Sequence, residues 1–448
     1  VSEARVADPG EARTTPDVVS TESRWIANSG LVFGLAGSVG LAGFGLLFSR
    51  PELVLVAAPV LVAAVWALQR RPRGVAQVSV ETRVGARSSG DSVSYEMSFA
   101  LPDETDGVAL RLYANSLQRW EVVVDAASAE HLAGEIGIVH SGPQEIVRVD
   151  YELLAAQGGY LTVPRPGPRS RRVIAPRTTP LRRLPLPFRV LGLAGGHDSA
   201  RPGVDGEFRD ISQFAPGDRL RRIDWKVTAR RAQTPGDLYV RRSFATADAT
   251  VLIMLDGRDD VAELLSNWQS SGPTRDEPTS LDVARDAAAS VASAYIKSGD
   301  RVGFHDLASL DRVVRPRGGI RQLQRVLPAI ARAKPTGAPT RRLRAPVIPQ
   351  GAIVYVISTF LDDEPARMAE LWRVAGHRVV AIDSLVSATT EKLPLAGRAA
   401  VRIISMERQD RIAGMQAVGV DLIRWRSGDG VSAESQLSVH AQLSRRPR

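Results

Sequence analysis

GEFRDISQFAPGDRLRRIDWKVTARRAQTPGDLYVRR, residues 206–242, is the densest run of charged and turn-forming residues in the chain. Soon after it comes ATVLIML, residues 249–255, an unbroken apolar run that ends at Asp256. A short apolar run bounded by polar residues reads as a strand buried on both faces. The first stretch is therefore a charged, turn-rich adaptor (206–248), and the second opens an α/β domain (249–430). Within the adaptor, Pro216-Gly217 sets a turn, proline fixing φ and glycine supplying a positive one. Asp218 and Asp224 stand where a carboxylate caps the free N–H groups of a short helix. Pro235-Gly236-Asp237 marks a second turn, and Leu238 and Val240 then alternate with Tyr239 and Arg241 as an edge strand does.

Downstream, strand and helix patterns alternate. Leu281, Ala284, Ala288, Val291 and Tyr295 have the spacing of an amphipathic helix, and so do Ile320, Leu323, Leu327 and Ile330, where Pro328 should kink or shorten the helix. Further strands are expected at 301–304, 352–357, 378–382 and 421–425, with helices at 365–375 and 406–418. This order predicts an open, mostly parallel sheet with helices on both faces. Residues 431–448 read as a flexible tail.

Upstream, residues 1–24 are polar and without periodicity and read as a disordered tail. Residues 25–70 carry two apolar segments broken at Arg50-Pro51-Glu52, a transmembrane helical hairpin suited to a hydrocarbon core of roughly 30 Å. Gly30, Gly34, Gly37, Gly40 and Gly43 either form a face for close helix contact or are merely tolerated by lipid. Arg70, Arg71 and Arg73 follow at once, which places both termini in the cytoplasm of a two-span cell-membrane protein. Six β-type runs between 75 and 163 predict a small β-sandwich; His131 and His140 within it stand alone. Pro164 to Val190 holds eight arginines, seven prolines and no acid, which no regular helix accommodates, so 164–205 reads as an extended connector. It lies either on an anionic inner leaflet or in solvent.

Composition narrows the chemistry. The chain has 448 residues, no cysteine and a formal net charge of +9, nearly all from arginine. Thiolate nucleophiles, disulfides and cysteine-ligated zinc are excluded. The basic balance favours an anionic surface, and the hairpin favours a membrane over nucleic acid. No Walker A loop, His-Glu-x-x-His or Gly-x-Ser-x-Gly occurs.

Gly206-Glu207-Phe208, Pro216-Gly217-Asp218, Arg221-Arg222-Ile223-Asp224-Trp225-Lys226, Ala229-Arg230 and Leu238-Tyr239-Val240-Arg241 together resemble the signature of the domain of unknown function 58 (DUF58) family. Its members are bacterial membrane-associated proteins whose C-terminal part resembles a von Willebrand factor A domain. Ser298-Gly299-Asp300-Arg301-Val302-Gly303 is similar to the approach to the second strand of that domain. The resemblance implies a membrane-anchored α/β chain with a doubly wound, von Willebrand A-like parallel sheet. It also implies association with MoxR-type AAA+ ATPases.

Von Willebrand A domains often hold Mg²⁺ through an Asp-x-Ser-x-Ser loop, because this hard ion demands near-octahedral oxygen ligands. The matching loop here is Asp256-Gly257-Arg258-Asp259-Asp260. A guanidinium has no lone pair to donate and repels a cation, so a degenerate site is expected, with Arg258 paired to Asp256 or Asp260. Thr336 and Thr340 are candidate third-loop residues, and Ser358-Thr359 stands where the family usually has an Asp. No catalytic residue, metal or cofactor is expected. Gly217, Asp218, Arg221, Arg222, Asp224, Trp225, Lys226 and Arg230 are expected to form a structural network or a partner-binding face. Trp225 either packs against the sheet or anchors a partner. The acid-free run from Arg312 to Leu361 is a second candidate surface. The expected function is a non-enzymatic scaffold; the alternatives are a metal-dependent hydrolase centred on Asp256 and a nucleic-acid-binding module.

Overall fold

Two apolar helices, α1 (Ser29–Leu47) and α2 (Pro51–Gln69), are bracketed by strands of one sheet, β1 (Asp17–Ala27) before them and β2 (Val75–Arg87) after. The computed structural model that shows this describes residues 16–87, 91–115, 118–188, 197–216, 218–234, 236–262, 277–309, 312–335, 345–387, 393–426 and 430–443. β1 pairs antiparallel with β2 up to Arg24 opposite Val75, so the hairpin returns the chain to the point it left. Each helix is 19 residues long, a rise of roughly 28 Å, and both are apolar enough to cross a membrane. Phe33, Leu46, Leu47 and Leu55 project from them exposed. The glycine face is not spent on α2. Gly34 approaches Val60, whereas nothing lies within 4 Å of a Cβ placed at Gly37, Gly40 or Gly43.

The expected disordered tail over 1–24 is corrected by β1, which orders residues 17–24; residues 1–15 lie outside the described residues. Backbone bonding drives this strand rather than apolar content. Its last three residues cross to β8 (Tyr160–Thr162), which joins the two halves of the sheet. The remaining strands are β3 (Ser92–Ala100), β4 (Thr105–Ala114), β5 (Gln118–Asp125), β6 (Leu132–Gly137), β7 (Gly142–Ala155) and β9 (Arg165–Ile174), with one helical turn, α3 (Ala126–Ala129), after β5. Their order is β5-β4-β7-β8-β1-β2-β3-β6, with β9 on β7. Nine strands thus stand where six were expected, and they extend beyond 75–163 at both ends. Phe99 of one half meets Tyr151 of the other edge-on.

Residues 1–139 with 143–172 form one compact unit, and residues 140–142 with 173–448 form another. In the second unit the described part of the Pro/Arg stretch is not a free linker, and residues 189–196 lie outside the described residues. After β9 it runs along α5 (Ser280–Lys297): the Arg177 and Thr179 amides donate to Asp286 and Ser290, and Leu181 enters the core. β10 (His197–Gln213) and β11 (Tyr239–Ala247) form a separate two-stranded arm that carries a 3-10 turn, Leu220–Arg222, and α4 (Trp225–Arg231).

The core of this unit is a six-stranded sheet. It comprises β12 (Thr250–Leu255), β13 (Arg301–Asp306), β14 (Val313–Arg317), β15 (Ala352–Ser358), β16 (Arg378–Asp383) and β17 (Asp421–Arg424). The order is β14-β13-β12-β15-β16-β17, parallel except for β14. The central strands β12 and β15 are almost wholly apolar because both of their faces are covered. α5, α6 (Ile320–Ala331) and α9 (Gly430–Leu443) bury one face; α7 (Asp363–Val374) and α8 (Leu395–Ala417) bury the other. Two expectations are corrected here. The tail at 431–448 is helical to Leu443, with Ala433 and Leu437 buried, and the late helix begins at Leu395 rather than 406.

Candidate functional site

The chain runs from β12 to β13 on one side and returns to β15 on the other, so the order reverses between β12 and β15. In open α/β sheets, ligands bind outside the carboxyl ends of the strands at such a point. Asp256 stands there, its amide continuing the ladder to the Ile357 carbonyl at 2.8 Å. One of its oxygens accepts from Ser358 Oγ at 2.7 Å. The other accepts from Arg258 Nε at 2.8 Å. Arg258 Nη1 lies 2.5 Å from Glu364 Oε2 and 3.2 Å from Asp362 Oδ2, at the start of α7. The guanidinium is buried among three carboxylates. Burial alone would lower its pKa, but Asp256, Glu364 and Asp362 outweigh it and raise it. Arg258 does pair with Asp256, whereas Asp260 is exposed and takes no part in that pairing.

The neighbouring loop is tied down by the same chemistry. Thr359 Oγ1 donates to Asp259 Oδ2 at 3.1 Å. Burial, then the Asp256 charge, pushes the Asp259 carboxyl up. Phe360 has φ +55°, a left-handed conformation that costs energy for a bulky residue. Its ring is fully buried, and its amide donates to Ser358 Oγ at 3.0 Å, so the surrounding structure holds the turn. Arg408 of α8 donates to the Thr359 carbonyl at 2.7 Å and pairs with Asp383. Among the described residues no group of three or more His, Asp or Glu side chains is disposed to hold a metal ion. Thr336 and Thr340 lie outside the described residues.

The arm divides its signature residues into two kinds. Asp224 caps α4 by accepting from the Val227 amide at 3.0 Å, and its own amide donates to the Tyr239 carbonyl at 2.8 Å. The Tyr239 amide donates to Thr228 Oγ1 at 3.0 Å, which fixes α4 on β11. Asp218 does not cap the 3-10 turn, contrary to expectation. It reaches back to the Ala215 amide at 2.9 Å and across to Arg242 at 3.2 Å, and these bonds hold its carboxyl below the usual range. Gly217 lies outside the described residues. Arg222 is half-buried. Trp225, Arg221, Lys226 and Arg230 face solvent, beside an exposed Leu220. The reading of Trp225 as packed on the sheet is corrected, since it is 68% exposed.

Sequence reasoning missed Asp362 and Glu364. They lie more than a hundred residues from Arg258, and only the fold brings them together. Residues 210–418, which include most of the arm and the whole sheet mouth, match the family model described as protein of unknown function DUF58. Over that span the chain is similar to DUF58 proteins, as its signature residues led us to expect. No curated protein and no solved structure matches it.

Proposed function

We propose that this chain is a non-enzymatic, membrane-anchored adaptor. Its second unit is read as a von Willebrand A-like domain whose adhesion-site loop is closed by its own arginine. One observation carries this reading: the Arg258 guanidinium occupies the space among Asp256, Asp362 and Glu364 that a cation would need. The guanidinium fills that space and offers no lone pair, so an ion would have to displace it to reach the carboxylates. In this reading the exposed apolar surface of α1 and α2 sits in lipid, and Arg70, Arg71 and Arg73 keep both termini cytoplasmic.

Work is then done by contact with another protein. The arm offers Leu220 and Trp225 among Arg221, Lys226 and Arg230, the aromatic-plus-arginine composition of interface hot spots. The family resemblance names a MoxR-type AAA+ ATPase as the partner, which would supply the energy that a chain without a nucleotide loop cannot. Affinity capture from detergent extracts tests this. Recovery of such an ATPase should fall at least tenfold with Trp225→Ala, on the order of one buried anchor's worth. Recovery unchanged by Trp225→Ala and by Asp224→Ala would contradict the assignment of that face.

A further inference from the structure

The first half of the long helix α8 is uncovered on nearly every side. From Arg408 onward the helix is held in place: Ile412 and Met415 are buried, Arg408 bonds the Thr359 carbonyl, and Arg411 pairs with Asp363. At roughly 100° per residue, Leu395, Ala399, Ile403 and Met406 fall on the side opposite Ile412 and Met415. Leu395 is 78% exposed, Ile403 58% and Met406 57%. The first three turns therefore present an apolar ridge about 20 Å long that faces away from the unit they belong to.

Charge selects the occupant. Arg398 and Arg402 line one side of the ridge, and its first three turns contain no Asp or Glu, the first acid of the helix being Glu407 beyond them. A second copy of the same ridge would bring arginine towards arginine. An anionic headgroup layer satisfies both features, since the arginines meet phosphate while the ridge enters the acyl boundary. We infer that the first three turns of α8 lie in the interface of an anionic bilayer and so give the second unit its own membrane contact. This rests on the membrane-anchored reading, in which α1 and α2 already place the chain at a bilayer.

Because the chain has no cysteine, single-cysteine labelling reads each contact separately. The full chain carrying Ile403→Cys or Val39→Cys, each labelled with an environment-sensitive dye, is reconstituted in nanodiscs. Phosphatidylcholine alone is compared with phosphatidylcholine plus phosphatidylglycerol, with and without spin-labelled lipid. The dye at 403 should shift to the blue and be quenched only where phosphatidylglycerol is present, and Arg398→Glu/Arg402→Glu should abolish both effects. The dye at 39 should be quenched in both bilayers. A dye at 403 that stays water-exposed in both, or that is equally buried in both, overturns the inference. So does a blue shift that appears only as copies cross-link through position 403, or only when an acidic protein is added. An unquenched dye at 39 would instead overturn the anchoring on which the inference rests.

Discussion

At the scale of single residues, Arg258 is the side chain on which the sheet mouth depends. Its removal takes the paired charge away from the buried Asp256, and breaking a buried pair from one side is strongly destabilising. Arg258→Gln should therefore cost about 3–5 kcal/mol, read from the denaturant midpoint of the full chain. Adding Asp256→Asn should return part of that loss, because the two effects are coupled. Arg258→Lys should not rescue, since an ammonium cannot span Asp256 and Glu364 at once. Two other aspartates respond to pH in opposite directions. Asp282 is buried, but His140, Arg285 and the Ser141 amide outweigh burial and hold its carboxyl below the usual range. Its stabilisation is complete above the unfolded value near pH 4 and is lost as pH falls through the lower folded value. Asp259 is raised, so its ionised form opposes folding above the folded value, and that cost vanishes on acidification. Thermal unfolding at neutral pH should accordingly fall for Asp282→Asn and hold or rise for Asp259→Asn. The reverse order would contradict both assignments.

At the scale of elements, α4 and α9 make separate predictions. Asp224→Ala removes the cap of a seven-residue helix and should cost about 1 kcal/mol, seen as faster hydrogen exchange confined to α4 and the start of β11. Truncation before residue 430 uncovers the buried Trp425 and removes Ala433 and Leu437 from the core. The truncated chain should lose more stability than Asp224→Ala does, by thermal unfolding. The same elements show what the sequence discloses. β12, β15 and β16 were legible because strands covered on both faces must be apolar runs, and the cap at Asp224 was legible because capping is local. β1 was not, because its side chains are mostly polar and its partner strand lies beyond two helices of 19 residues each. α9 left a signal that went unread: Ala433, Leu437 and Ala441 recur every fourth residue on one buried face. The contacts of Arg258 with Asp362 and Glu364 had no local signature, since sequence patterns report periodicity and not which loops a sheet gathers at one end. Trp225 stayed open between packing and presentation, because apolar character alone does not tell a core ring from a presented one.

At the scale of the whole molecule, the position of the hairpin between two paired strands has a direct consequence. Arg24 and Val75 are neighbours across the sheet, so the chain between them can be shortened without moving either strand. Replacing residues 29–71 with a short Gly/Ser linker should release the protein from membranes washed at high salt, which screens the α8 contact, while thermal unfolding of the second unit is unchanged. Continued retention would assign membrane attachment elsewhere. The account as a whole requires that the sheet mouth be closed by the protein's own Arg258. Calorimetric titration of the full chain with Mg²⁺ tests this most directly. No stoichiometric binding is predicted, for the wild type or for Asp256→Asn. Binding of one ion per chain that Asp256→Asn abolishes would contradict it.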